Sequence, residues 1–366
     1  MNRMTFIKPS FPASSELVED YKKITKNNFY TNSGPFEKEF ENKCCEYIGQ
    51  GVSTSVVANA TLGLMLALNA HIPRSSMKNE VIIQSFTFAA SAEAIVWSGL
   101  KPVFIDIEED TWQANLNQAR KYLEVNSRNV GGILFCNTFG VGCKNINKWE
   151  ELAREFEIPL IIDSAAGFGS KYSPNEKLGA RGDCEIFSLH ATKPFAIGEG
   201  GLVVSKNSNF IETINRKKNF GFNGNREVES LGLNAKAPEI SSAIGLRQLK
   251  KYNIKLAKRQ ESLNKFKKMI SSSSLIFQDN DYLSTIPFIT IKLPKVLKED
   301  TMKSFAKEYI DVRDYYNPPV HMHPYFSNEK KLDLKITSML CDTLISLPMH
   351  DDFTDQDLSR LSNVLK

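Results

Sequence analysis

Hydrophobic and polar positions along this chain change period in a regular way. In Pro35-Phe-Glu-Lys-Glu-Phe-Glu-Asn-Lys-Cys-Cys-Glu-Tyr-Ile48, the residues Phe36, Phe40, Cys44 and Ile48 fall on one stripe. That spacing predicts an amphipathic helix, which Gly49 and Gly51 end. Ahead of it, Ser14-Ser15-Glu16 signals the start of a shorter helix running to Lys26, inside an irregular stretch with prolines at 9, 12 and 35. From residue 53 onward short apolar runs alternate with helical ones. Strands are expected at 53–58, 80–84, 102–106, 132–136 and 159–163, and helices at 61–70, 89–98, 117–124 and 148–156. Such alternation predicts an α/β fold, a large, mostly parallel sheet flanked by helices. On such a sheet ligands bind beyond the carboxyl ends of the strands. The rule selects Asn59-Ala60-Thr61, residues 85–88, Asp106, Asn137 and residues 163–167 as candidate site loops.

After Lys206 the pattern changes. Gly221, Gly224 and Gly232 mark residues 219–234 as a mobile or ligand-gripping loop. Pro238 opens a long helix to about Met269, with Ile240, Ala243 and Ile244 on one face. Beyond it, a short strand at 286–291 and helices at 301–308 and 354–365 read as a smaller α+β C-terminal domain. The expected division is residues 1–245, an N-terminal arm and large domain, and residues 246–366, the long helix and small domain. A length of 366 residues with 42% hydrophobic content supports a core of that size.

Composition narrows the function. The net charge of +4 is spread without a basic run, so nucleic acid is not expected as a partner, and an anionic small substrate is compatible. With no apolar signal core and no apolar run long enough to span a bilayer, the expectation is a cytoplasmic chain without a membrane partner. The six cysteines form no Cys-x-x-Cys pair and are expected as buried, reduced thiols. His321-Met-His323 is the one close histidine pair, no third ligand follows from spacing, and no metal is expected.

The chemistry concentrates in residues 185–205. Two β-prone runs, 186–189 and 202–204, flank a Gly-rich turn that carries Ser188, His190 and Lys193. A lysine held between buried strands loses water, and its pKa falls until the amine is a nucleophile towards carbonyls. The same turn would also serve a solvated surface lysine. Asp163 ends the apolar run Leu160-Ile-Ile, Phe88 offers a ring at a neighbouring strand end, and Asn59-Ala60-Thr61 stands at a helix N-terminus suited to phosphate. Taken singly, Phe88 would equally be core and Asn59 a plain cap. Taken together, they are the parts a pyridoxal-phosphate enzyme needs.

Those segments, from Thr31-Asn-Ser-Gly-Pro35 through Ile345-Ser-Leu-Pro-Met-His350, resemble the sugar-nucleotide aminotransferase family of the DegT/StrS type. That family is a branch of the aspartate-aminotransferase-like, fold-type-I pyridoxal-phosphate enzymes, and the run Ser-Leu-His-Ala-Thr-Lys193-Pro-Phe-Ala-Ile-Gly-Glu-Gly-Gly carries the likeness most specifically. The resemblance implies pyridoxal phosphate, alternating with its amine form, on Lys193 as the Schiff-base lysine. It implies Ala60, Thr61 and Ser188 at the phosphate, Phe88 stacked on the ring and Asp163 at the ring nitrogen. Asn234 would reach the cofactor of a partner in a homodimer. Where the family often has Gln or His near the cofactor's phenolic oxygen, this chain has Ala166.

By the same likeness the amino donor is L-glutamate and the acceptor a nucleotide-linked keto-6-deoxy sugar, first dTDP-4-keto-6-deoxyglucose at C4, with amination at C3 as the alternative. His190, Tyr316 and His321 would lie at the sugar, and deoxyamino-sugar biosynthesis of the lipopolysaccharide O-antigen kind would use the product. A dehydratase relative would replace the lysine with histidine. A binding protein on the same fold would lose Lys193 or Asp163, and both are present.

Overall fold

The computed structural model describes residues 2–72, 77–271, 275–280 and 282–365. The first half runs α1 (Ser14–Asn27), α2 (Pro35–Ile48), β1 (Ser53–Val57), α3 (Ala60–His71), β2 (Glu80–Gln84), α4 (Ala89–Trp97), β3 (Lys101–Ile105), α5 (Leu116–Asn126), β4 (Val130–Cys136), α6 (Ile146–Glu155) and β5 (Leu160–Asp163). A small hairpin, β6 (Lys171–Ser173) and β7 (Glu176–Lys177), precedes β8 (Cys184–Ser188), β9 (Gly201–Ser205) and α7 (Ser208–Lys217). The long α8 (Glu239–Met269) leads to β10 (Ile276–Phe277), β11 (Ile289–Lys292), α9 (Lys295–Lys307), β12 (Lys330–Lys331), α10 (Lys335–Cys341), β13 (Leu344–Leu347) and α11 (Asp355–Val364).

The large sheet has the order β1-β9-β8-β5-β4-β2-β3-β12. From β8 to β12 every pairing is parallel, while β9 runs antiparallel to both β8 and β1. Fully buried apolar strands explain the parallel part. Ile82 points into one core with Phe135 and Trp149, while Val81 and Ile83 point into the other with Leu64, Leu68 and Ile95. A second sheet, β10-β11-β13, forms the small C-terminal layer around Ile289, Ile291, Ile345 and Leu347.

Two differences from the sequence expectation stand out. Residues 219–234 fold back on themselves, with bridges Asn219–Asn234 and Phe222–Val228 and the Phe220 N–H donated to the Leu233 carbonyl. Their glycines fit the tight contacts of that reversal: a Cβ on Gly232 would fall 2.2 Å from the Gly221 nitrogen. The C-terminal part also returns to the large sheet. Lys330 and Lys331 pair with Val103 and Phe104, and Asp106 caps α10 by accepting from the Ile336 and Thr337 N–H groups.

Buried charge holds the N-terminal helices. Glu239, the first residue of α8, accepts from the Phe36 and Glu37 N–H groups at the start of α2. Lys218 is paired with Glu37 at 2.7 Å, both side chains essentially without solvent. Its amine also reaches Glu41 and the Val56 carbonyl.

A second buried carboxylate, Glu185, lies under the strand ends. It accepts from Gly179 N–H at 2.6 Å, from the Tyr172 hydroxyl at 3.0 Å and from the Ser164 hydroxyl. Burial nevertheless pushes its pKa up from 4.5 to about 7. The folded chain therefore holds a proton that the unfolded chain has released, so Glu185 subtracts stability as pH rises from about 4.5 to about 7 and adds no slope above that. Glu185→Gln can turn its amide N–H groups to the Ser164 and Tyr172 hydroxyls and keep its carbonyl on Gly179. Denaturant unfolding between pH 5 and 8 is expected to show a flatter stability profile for this variant than for the parent.

Candidate active site

The turn between β8 and β9 is wide, yet it is pinned at both ends. Leu189 N–H donates to the Gly200 carbonyl, Ile197 N–H to the Leu189 carbonyl, and Ala191 N–H to the Gly198 carbonyl at 2.7 Å. Pro194, Phe195, Ala196 and Ile197 are buried. The Phe195 ring is wedged among Phe40, Phe168 and Tyr252, with centroids 4.7 Å from Phe168 and 4.9 Å from Tyr252. Gln248 of α8 adds a hydrogen bond to the Ala196 carbonyl. Lys193 stands two residues before that wedge, so its backbone is fixed while its side chain enters the site. Burial lowers the pKa of its amine below the ordinary lysine range, and the charge of Asp163 opposes the shift.

Asp163 is the last residue of β5 and is buried. Ser91 in the first turn of α4 donates to one carboxylate oxygen at 2.6 Å, and Ala165 N–H donates to the other at 2.9 Å. Ser91 is also within hydrogen-bond distance of Thr87. Burial raises the Asp163 pKa despite these donors and Lys193. A cationic ring nitrogen would complete this carboxylate.

Around the pair, Asn59 caps α3 by accepting from Leu62 N–H at 2.9 Å, and Ala60 and Thr61 open the helix. Gly201 lies so close beneath this turn that a Cβ would sit 2.6 Å from the Asn59 carbonyl carbon. Ser188 ends β8 and accepts from His190 N–H. Phe88 precedes α4 with 61% of its surface open, a bare ring face for a flat ligand. The N-terminal arm passes beside Lys193, where Ser10, Arg259 and Asp351 line the same narrow recess.

Other sequence candidates have different surroundings. Asp106 is spent on α10, and Asn137 turns under the sheet to Ser164, Tyr172 and Glu185. His190 faces Thr192 at 2.8 Å and Glu199 at 3.4 Å. His321 is buried against Ser85 at 2.6 Å, whereas His323 faces the Pro318 carbonyl, so the two rings do not converge. The Ala166 carbonyl accepts from Thr285. Asn234 is exposed and accepts from Lys236, next to Ala235, which holds Ala58. Tyr316 packs its ring against Phe86 and Phe139, just past β2 and β4. Ser91 and Thr285 were not singled out by sequence. Ser91 carries a signal, a hydroxyl four residues after Thr87 in the apolar helix that follows Phe88.

The site thus offers an amine, a buried carboxylate, an open phenyl ring and a helix N-terminus at adjoining strand ends, which suits a phosphorylated pyridine aldehyde. Similar proteins carry the same implication. The chain is 42% identical to Protein Rv3402c of Mycobacterium tuberculosis strain H37Rv, over 98% of this chain and 88% of the relative. It is 27% identical to the dTDP-4-amino-4,6-dideoxy-D-glucose transaminase of Shigella dysenteriae, over 100% of this chain and 99% of the relative. The structure of a putative PLP-dependent aminotransferase from Bacillus cereus superimposes with a TM-score of 0.94 at 31% identity, covering 100% of both chains. With residues 13–366 matching throughout, this chain belongs to the DegT/DnrJ/EryC1/StrS aminotransferase family.

Proposed function

We propose that the chain moves an amino group from L-glutamate to C4 of dTDP-4-keto-6-deoxyglucose, with pyridoxal phosphate held at Lys193. The observation that carries this reading is the half-buried Lys193, on the pinned turn after β8, beside the buried Asp163 carboxylate at the end of β5, held by Ser91 and Ala165 and open to a cation. The C4 position and the dTDP carrier are supported by the Shigella relative.

When bound, pyridoxal phosphate supplies an electron sink that accepts the pair released from the donor's α-carbon. Asp163, held in place by Ser91 and Ala165, keeps the ring nitrogen protonated. Thr61, Ser188 and the first N–H groups of α3 would hold its phosphate, and the exposed Phe88 ring would offer it a stacking face. With the group bound, the Lys193 amine would be the base that takes the proton from the donor's α-carbon, at Nζ. Burial lowers the pKa of this amine, which leaves it neutral at a lower pH than an ordinary lysine. In this reading Asn234 reaches the site of a second copy, and the exposed Phe220, Val228 and Leu231 around its loop are apolar surface available to that contact.

Lys193→Arg keeps the positive charge but has no neutral amine to offer. It is expected to lose at least about a thousandfold in turnover while still binding the amine form of the cofactor. Borohydride reduction of the parent protein followed by peptide mapping is expected to label Lys193; a label on another lysine would refute the assignment. The substrate is tested by offering the glutamate-charged enzyme dTDP-4-keto-6-deoxyglucose, its 3-keto isomer and UDP-linked 4-keto sugars, with the new amine located by NMR. Preference for the 3-keto isomer or a UDP sugar overturns the acceptor and leaves the transamination standing. Sedimentation under assay conditions is expected to give the mass of a dimer, and an active monomer would exclude shared sites.

A further inference from the structure

The cofactor reading leaves one of its polar atoms without a partner. In pyridoxal phosphate the phosphate arm and the phenolic oxygen leave opposite edges of the ring, on either side of the carbon that joins the lysine. With the ring nitrogen at Asp163 on β5 and the phosphate at Thr61 and Ser188, the phosphate edge faces the β8, β9 and β1 side of the sheet. The phenolic edge would then face the other side, over the ends of β4 and β2. Most side chains there are already committed. Asn137 bonds Ser164, Thr138 bonds the Trp112 carbonyl, Gln84 bonds Thr138, Thr285 bonds the Ala166 carbonyl, and Ala166 itself brings only a methyl group.

Tyr316 packs at the ends of those same two strands. Its ring packs on Phe86, just past β2, with centroids 5.2 Å apart, and on Phe139, just past β4, at 5.3 Å. The residue after Phe139, Gly140, lies against the Ala166 carbonyl. Burial first, and then the nearby carboxylate of Asp163, push the pKa of the Tyr316 phenol up and keep it protonated, a donor. Among the described residues this hydroxyl makes no hydrogen bond inside the protein. We propose that the Tyr316 hydroxyl donates a hydrogen bond to the phenolic oxygen of the bound cofactor, filling the place that Ala166 leaves empty.

The consequence is measurable apart from turnover. A donor on the phenolic oxygen competes for the proton that this oxygen shares with the Lys193 nitrogen, and so lowers the pH at which that proton leaves. Tyr316→Phe keeps the ring contacts and removes only the donor. Pyridoxal phosphate added to the cofactor-free protein is expected to absorb with a pH midpoint about one unit higher in the variant, and to bind about tenfold more weakly. Tyr315→Phe, whose ring lies on Phe6 and Phe288, is expected to match the parent. The proposal rests on the cofactor reading, and borohydride trapping separates the two. If the parent is not labelled at Lys193, that reading fails. If it is labelled, and Tyr316→Phe shifts neither midpoint nor affinity, or Tyr315→Phe shifts them equally, the role of Tyr316 falls alone.

Discussion

At the carboxyl end of β5 the Asp163 carboxylate has left bulk water, and the cost of that transfer is offset by the Ser91 hydroxyl, the Ala165 N–H and the charge of Lys193. The offset is incomplete, because burial still raises the pKa of the acid. Lys193 shows the mirror image: burial lowers its pKa and the carboxylate opposes the change. Burial thus disfavours the charged form of each group, and a ligand that brings a cation to one and a carbonyl to the other relieves both. The geometry of β5, β8 and the turn after β8 serves to bring these two groups together.

The supporting layer is polar as well. Under the strand ends, Glu185 gathers hydrogen bonds from Ser164, Tyr172 and Gly179, tying β5, β8 and the loop before β8 into one network. Across the molecule, Lys218 and Glu37 form an ion pair with almost no access to water. Such pairs contribute little net stability compared with apolar packing, but breaking one leaves a bare charge in the interior. Through Lys218, which reaches Glu37, Glu41 and the Val56 carbonyl, the end of α7 is tied to α2 and β1.

Much of this was legible in the sequence. The alternation of apolar runs gave β1 to β5 and their helices to within a few residues, because strands buried on both faces leave little room for polar residues. Lys193, Asp163 and Phe88 stood out as a set, placed at neighbouring strand ends and matched by the resemblance, since each alone had an ordinary reading. What was not legible arises from contacts distant in sequence. β12 is only two residues long and exists through its pairing with β3. Asp106 sits at a strand end like Asp163, yet it caps a helix more than two hundred residues later. Asn137 faces down rather than up. The helix at α7 was missed although Asn207, Phe210, Ile211 and Ile214 carry its cap and apolar stripe.

The attachment of β12 to the large sheet bears on how this architecture can be recombined. Val320 N–H donates to the Ser85 carbonyl and Leu332 N–H to the Phe104 carbonyl, so residues 320–332 are fastened to β2 and β3 although they follow the small sheet's first strands in sequence. A chimaera joined within α8, with its halves taken from two relatives, would not exchange a self-contained module. It would set one parent's Tyr316 loop on the other parent's strand ends, and the seam would run through the wall of the site. Grafting residues 314–334 together with the strand ends of β2 and β3 would carry that wall across as one piece.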